Sequence, residues 1–231
     1  EGFMGSFDGQ GHTISNITID RPESDQVGLF GITNDAYIAN FTFDGNVHGH
    51  DYVGGVVGYA NDYSVISQVA STGAVIGESG YVGGIVGLAG DNVDIMDVYN
   101  TGDIEGIVRV GGILGSTLHA TNIYRAYNSG EITGVDYVGG LSGSHNAGVV
   151  NSTFNAGSVE GVDHSAAIIG EAGEVNSSDN WIDWELTGDN DCIGNYGEED
   201  CHVVNGENQQ PNFFKNDDTN GPFASWDFNV V

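Results

Sequence analysis

Basic residues are nearly missing from this sequence. Lys and Arg total 4 of 231 residues against 33 Asp and Glu, for a formal net charge of −29. A nucleic-acid binder needs cations to displace phosphate counterions, so that class is excluded, and binding to anionic lipid surfaces is disfavoured for the same reason. No run of 18 apolar residues occurs, so no transmembrane helix and no membrane insertion are expected. Proline is scarce, at 3 residues, which rules out collagen-like and Pro-rich linker readings. The chain opens at Glu1 without a basic–apolar leader, as expected of a mature or excised segment.

Glycine, by contrast, is abundant: 38 residues, more than twice the usual share. Aromatic residues make up 10%, which argues against plain disorder. The acidic residues are dispersed along the chain and not gathered in a tail. Such a surface stays soluble and repels itself, and it suits a salty or calcium-containing medium that screens it.

Two interleaved motifs repeat. The first reads VGLFG from Val27, VGGVVG from Val53, VGGIVG from Val82, VGGILG from Val110 and VGGLSG from Val138, with a degenerate SAAIIG from Ser165. Successive copies are offset by 26, 29, 28, 28 and 27 residues. The second reads IANFTFDGNVHG from Ile38, ISQVASTGAVIG from Ile66, IMDVYNTGDIEG from Ile95, IYRAYNSGEITG from Ile123 and VNSTFNAGSVEG from Val150; ISNITID from Ile14 is half of an earlier copy. Each unit is short, β-branched and bounded by Gly, the signature of strands and turns. The glycines leave no room for helices of ordinary length. The expected fold is all-β, a parallel β-solenoid (β-helix) of six to seven coils with a C-terminal capping segment. At about 4.8 Å per coil the rod core would be roughly 30 Å long. Val53, Val82, Val110 and Val138 should form one column, and Asn100, Asn128 and Asn155 an amide ladder.

At this point the sequence resembles a known family. Gly28-Leu29-Phe30-Gly31 and Gly140-Leu141-Ser142-Gly143 match the G-L-x-G core of the GLUG repeat, and the opening FMGSFDGQGHTISNITI and the ending PFASWDF resemble the flanks of GLUG arrays. The resemblance covers residues 3 to 180 and the terminal segment. It implies a β-solenoid in a large secreted or cell-surface protein of bacteria or archaea, with a scaffold or adhesive role and no shared catalytic residues. Ala166 and Ala167 replace the glycine pair in the last copy, which predicts a distorted final coil.

The expected organisation is a solenoid over 1–178, with 1–24 as initiating coil, and a cap over 179–231 packed on it and not an independent domain. Trp181, Trp184 and Trp226, with Phe213, Phe214, Phe223 and Phe228, supply apolar material to cover the exposed solenoid end. Cys192 and Cys201, the only cysteines, are expected to form a disulfide in a secreted protein. Isolated thiols without C-x-x-C spacing do not suit zinc.

Candidate chemistry is sparse. Lyases acting on uronic acids need cations beside the substrate carboxylate; only Arg21, Arg109, Arg125 and Lys215 are available, and the acidic surface repels anionic substrates. A glycoside hydrolase needs two carboxylates at a set separation, which 33 acids neither support nor deny. No G-x-S-x-G elbow is present, and the recurring VGGxxG units lack the helix of a dinucleotide loop. His48 and His50 share a strand face and read as solvated turn residues before they read as a metal pair. Calcium is the better metal candidate. Asp189, Asp191 and Asp200 fall at positions 1, 3 and 12 of an EF-hand-type loop with Gly194 at position 6, but Ile193 occupies position 5. Asn216, Asp218, Asn220 and Asp227 fit the spacing better, with Gly221 at the turn. Asn40, Gln68, Asp97, Arg125 and Ser152 form no threonine rank, and Thr42 becomes Ala70, Tyr99 and Tyr127 in later copies, so ice binding is not expected. Tyr52, Tyr81 and Tyr137 recur at one position, with Arg109 replacing one copy; such a column either stacks on glycans or covers the coil edge.

The sequence therefore points to a structural or adhesive module of a larger extracellular or cell-surface protein. A carbohydrate-binding module comes second and a polysaccharide-degrading enzyme third. Expected partners are other domains of the same protein and a surface glycan or protein receptor; no cofactor is expected beyond calcium.

Overall fold

The computed structural model describes residues 2–187, 191–194 and 201–204. Over these the chain winds into a parallel β-solenoid of about six coils. One face is a five-stranded parallel sheet built from Val53–Gly54, Gly80–Gly83, Val108–Gly111, Asp136–Gly139 and Asp163–Ala166. The valines stack one per coil: Val53 pairs with Val82, Val82 with Val110, Val110 with Val138, and Val138 with Ser165. The other faces share a continuous ladder. Its long face runs from Ser6–Arg21 through Tyr37–Gly49, Val65–Ser71 and Val93–Asn100 to Ala120–Asn128.

The interior follows from the alternation of side chains along each strand. Ile38, Ile66, Ile95, Ile123 and Val150 pair in series and are all buried. Val56, Ile85, Ile113, Leu141 and Ile168 fill the opposite side with no exposed surface. Each such side chain contributes about 1.5–3 kcal/mol on burial, and every coil repeats the contribution.

Polar ladders fix the register. The Asn100 side-chain amide donates to Asn128 Oδ1 at 2.9 Å, and that of Asn128 to Asn155 Oδ1 at 2.9 Å. The amides of Asn100, Asn128 and Asn155 also donate to the carbonyls of Gly102, Gly130 and Gly157 at 2.7, 3.0 and 3.0 Å. Both amide donors of Asn100 and Asn128 are thus used within a fully buried turn. The next coil's backbone and this ladder together leave no room for a side chain at the second glycine: a Cβ on Gly84 would lie 2.2 Å from the Gly112 carbonyl oxygen and 2.6 Å from Asn100 Cγ.

Two corners run up the rod in the left-handed region without glycine. One holds Gln26, Tyr52, Tyr81, Arg109, Tyr137 and His164, with φ from 47 to 59°. The other holds Asn40, Gln68, Asp97, Arg125, Ser152 and Asp179, with φ from 50 to 65°. The conformation costs an L residue about 1–2 kcal/mol. Coil-to-coil bonds through the first corner, such as Gln26 N to Asp51 O at 2.8 Å and Val27 N to Tyr52 O at 3.1 Å, hold it in place.

The degenerate last copy keeps its place: Asp136 pairs with Asp163 and Gly139 with Ala166. The ladder position of that coil is Ile182, paired with Asn155. Strand pairing continues past residue 178, where Asn180–Asp183 lies under Phe154–Asn155 and Cys201–Val204 pairs with it in turn. Cys192 and Cys201 are joined as a disulfide, with Cα atoms 5.9 Å apart.

Candidate functional site

The tyrosine column is the most chemically distinctive surface feature, and the left-handed corner creates it. Each coil turns at the residue before the paired valine, so that residue projects sideways at the coil spacing. Tyr52 and Tyr81 have ring centroids 5.0 Å apart and planes 35° apart. The Arg109 guanidinium lies over both neighbours, 5.1 Å from the Tyr81 ring and 5.3 Å from the Tyr137 ring. Tyr137 then stacks on His164 at 4.9 Å and 17°. The sequence-derived set Tyr52, Tyr81 and Tyr137 is therefore brought together as part of a five-member column with Arg109 and His164. Ring faces within it are covered by the next member, an arrangement stabilised by cation–π and stacking attraction.

Carboxylates flank the column. The His164 Nδ1 contacts Asp136 Oδ1 at 2.7 Å, and this bond holds the imidazole above its ordinary pKa. Asp51, before Tyr52, is pushed up by burial, partly offset by backbone N–H bonds from Tyr52 and Gly80. Burial likewise pushes the Tyr52 phenol up.

His48 and His50 do not converge on one point. His48 bridges coils, with Nε2 2.7 Å from Glu78 and Nδ1 3.0 Å from Asp20. His50 Nδ1 lies 2.8 Å from Asp25. The hydrogen bond to Glu78, then that to Asp20, raises the pKa of His48, and the bond to Asp25 raises that of His50. Arg125 forms a forked pair with Asp97, at 2.5 and 2.8 Å, across one coil step.

Of the calcium candidates only Asp191 is among the described residues. It is exposed, and its backbone carbonyl accepts from Ala167 N at 2.7 Å. Asp189, Asp200, Asn216, Asp218, Asn220 and Asp227 lie outside the described residues, as do Trp226 and the phenylalanines assigned to the cap. Among the described residues no three His, Cys, Asp or Glu side chains form a metal-binding group.

Two features escape sequence reasoning. A second aromatic column runs down the long face, where Tyr99, Tyr127, Phe154, Trp181 and His202 pair in series. Tyr127 and Phe154 stack at 5.6 Å and 16°, and Trp181 meets His202 at 4.4 Å. Its signal was the replacement of Thr42 and Ala70 by tyrosines in later copies. The other is His145, wholly buried in a column otherwise made of Thr33, Ala60, Ala89, Thr117 and Ala172. Its Nε2 donates to the Thr121 carbonyl at 3.0 Å, while Nδ1 is buried without a partner. Burial lowers its pKa to about 4.

No family profile matches the chain, so the likeness to GLUG repeats is not shown as membership, and no solved structure matches it. A stretch of 81 residues is 44% identical to Halomucin of Haloquadratum walsbyi (strain DSM 16790 / HBSQ001). That match covers 34% of this chain and 1% of Halomucin. The chain is thus similar, over a third of its length, to a small part of a far longer protein.

Proposed function

We propose that this chain is a structural or adhesive β-solenoid module of a larger secreted or cell-surface protein, built from repeats of the GLUG kind. The observation that supports it is the commitment of its conspicuous side chains to one another. The asparagines bond from coil to coil, the tyrosine column is closed by Arg109 and His164, and Arg125 is held by Asp97. These groups stiffen a rod. The similarity to part of Halomucin and the net charge of −29 fit a module exposed to a salty exterior.

Enzymatic action is not part of the proposal. The cations Arg109 and Arg125, which a uronate lyase would need free, are engaged with tyrosines and with Asp97. No cofactor is invoked, and partners are other domains of the same protein or a surface receptor.

A glycan array probed with the purified chain, with and without calcium, tests the reading. Absence of glycan capture in both arms is the expected result. Capture abolished by Tyr81→Ala together with Tyr137→Ala would replace it with carbohydrate recognition, and calcium-dependent capture would locate calcium in that activity.

A further inference from the structure

Four Asn-x-Ser/Thr sequences occur among the described residues: Asn16-Ile17-Thr18, Asn40-Phe41-Thr42, Asn151-Ser152-Thr153 and Asn176-Ser177-Ser178. This triplet is the acceptor for asparagine-linked glycans on translocated proteins. The fold divides the four sharply. Asn151 is tied to Ser178 Oγ at 2.6 Å, and its Thr153 is fully buried, donating to Asn180 Oδ1 at 2.8 Å. Asn40 is half-buried and donates to Asp8 Oδ1 at 3.1 Å, and Phe41 beside it is buried in the core.

Asn16 differs in each respect. It is the extra residue of a β-bulge, since Ser15 pairs with Asp44 and Ile17 with Gly45. A bulge leaves its extra residue outside the ladder and re-aims the side chain. Its φ is 61°, and Asn16, its neighbour Ser15 and the acceptor-defining Thr18 are all exposed. Its amide reaches only the adjacent Ser15 hydroxyl, at 3.1 Å. Asn176 is likewise exposed, and its side-chain amide makes no hydrogen bond among the described residues.

We infer that Asn16 and Asn176 are N-glycosylation sites, whereas Asn40 and Asn151 stay unmodified in the folded rod. The inference rests on the proposed extracellular reading, because transfer requires export. The reaction takes its sugar from a polyprenyl-phosphate-linked oligosaccharide, joined by the exporting cell's transferase. The asparagine Nδ2 forms a bond to the anomeric carbon. The bond from that carbon to the phosphate oxygen breaks, the lipid phosphate leaves with the electron pair, and the amide gives up one proton. The product keeps one N–H on Nδ2, which at Asn16 can still meet the Ser15 hydroxyl. At Asn40 and Asn151 the obstacle is room: both are half-buried, and Phe41 and Thr153 of their triplets lie in the interior, so a sugar there would meet the rod itself.

The test is peptide mapping by mass spectrometry on the protein recovered separately from the medium, the cell surface and the cytosol of its native cells. The expected result is that exported protein carries peptides containing Asn16 and Asn176 heavier by whole sugar residues, and unshifted peptides containing Asn40 and Asn151. Thr18→Ala should abolish the shift at Asn16, and Thr18→Ser should retain it; Thr18 is exposed, so neither threatens folding. Exported protein with bare Asn16 and Asn176 overturns the inference and leaves the location intact. Exported protein modified equally at all four overturns the selection by fold. Protein found only in the cytosol overturns both the inference and the extracellular reading on which it rests.

Discussion

Acidification should cost this rod a measurable part of its stability through one side chain, His145. Its Nε2 donates to a backbone carbonyl, so the neutral imidazole must keep Nδ1 as a bare acceptor. A second proton would sit on Nδ1 in a site without an acceptor. Burial therefore lowers the folded pKa to about 4, against 6.5 for the free group. The unfolded chain binds the proton first, so the contribution is complete above 6.5 and is lost as pH falls toward 4. Integrated between pH 7.5 and 5, the linkage amounts to about 2 kcal/mol. That corresponds to roughly 4–8 °C in Tm for a chain of this size. His48, His50 and His164 act oppositely. Their carboxylate partners raise the folded pKa, so their contribution is present below the ordinary value and lost as pH rises through the raised one. A difference experiment removes them. His145→Gln keeps an amide donor for the Thr121 carbonyl and does not titrate. Urea unfolding of both proteins across pH 5–7.5 should show the wild type losing about 2 kcal/mol more than the variant. Superimposable profiles would refute the reasoning.

Other perturbations probe different parts of the rod. Asn128→Ala cuts the ladder in the middle and strips Asn100 and Asn155 of buried partners; urea midpoints should report a loss of about 2–4 kcal/mol. Titration of the unfolded, unreduced protein should find no free thiol at Cys192 or Cys201, and reduction should lower stability by about 2–3 kcal/mol for a loop this short. Sodium chloride should raise Tm from its low-salt value, because a net charge of −29 opposes the compact state and salt screens it. Calcium chloride raising Tm above magnesium chloride at matched ionic strength would demonstrate specific sites by linkage, and equal responses would remove the case for calcium at Asp189–Asp200 or Asn216–Asp227.

The repeating part of this fold is plain in the sequence because each position answers to the same position one coil away. The valine column and the asparagine ladder follow from spacing alone, and both stand in the structure. The left-handed corners were not legible. Conformation there is imposed by coil stacking on side chains as unlike as Gln68, Asp97, Arg125 and Ser152, and propensity favours glycine at such angles. Of the tyrosine column the sequence revealed Tyr52, Tyr81 and Tyr137 and the interruption at Arg109, but not His164 at its end, nor that the arginine would lie over both neighbouring rings. His145 left no trace because its meaning depends on burial, and its column otherwise holds only small residues. The final coil keeps its pairing despite its alanines, with Ile182 at the ladder position.

The vertical autonomy of the coils makes the chain editable in units. Excising 82–109 would join Tyr81 directly to Val110, recreating the Tyr-Val-Gly-Gly junction found at Tyr52 and Tyr137. Asn128 would then succeed Ser71 in the ladder as Asn100 does now. Val110 would inherit the place of Val82 beside Val53. Recombination between copies of the underlying DNA repeat would therefore yield shorter or longer rods with every column kept, and a change of one residue is absorbed within its own coil, since copies 26 to 29 residues apart already pair in one column. Lineages carrying such a module should differ from one another by whole coils, with altered reach and an unaltered interior.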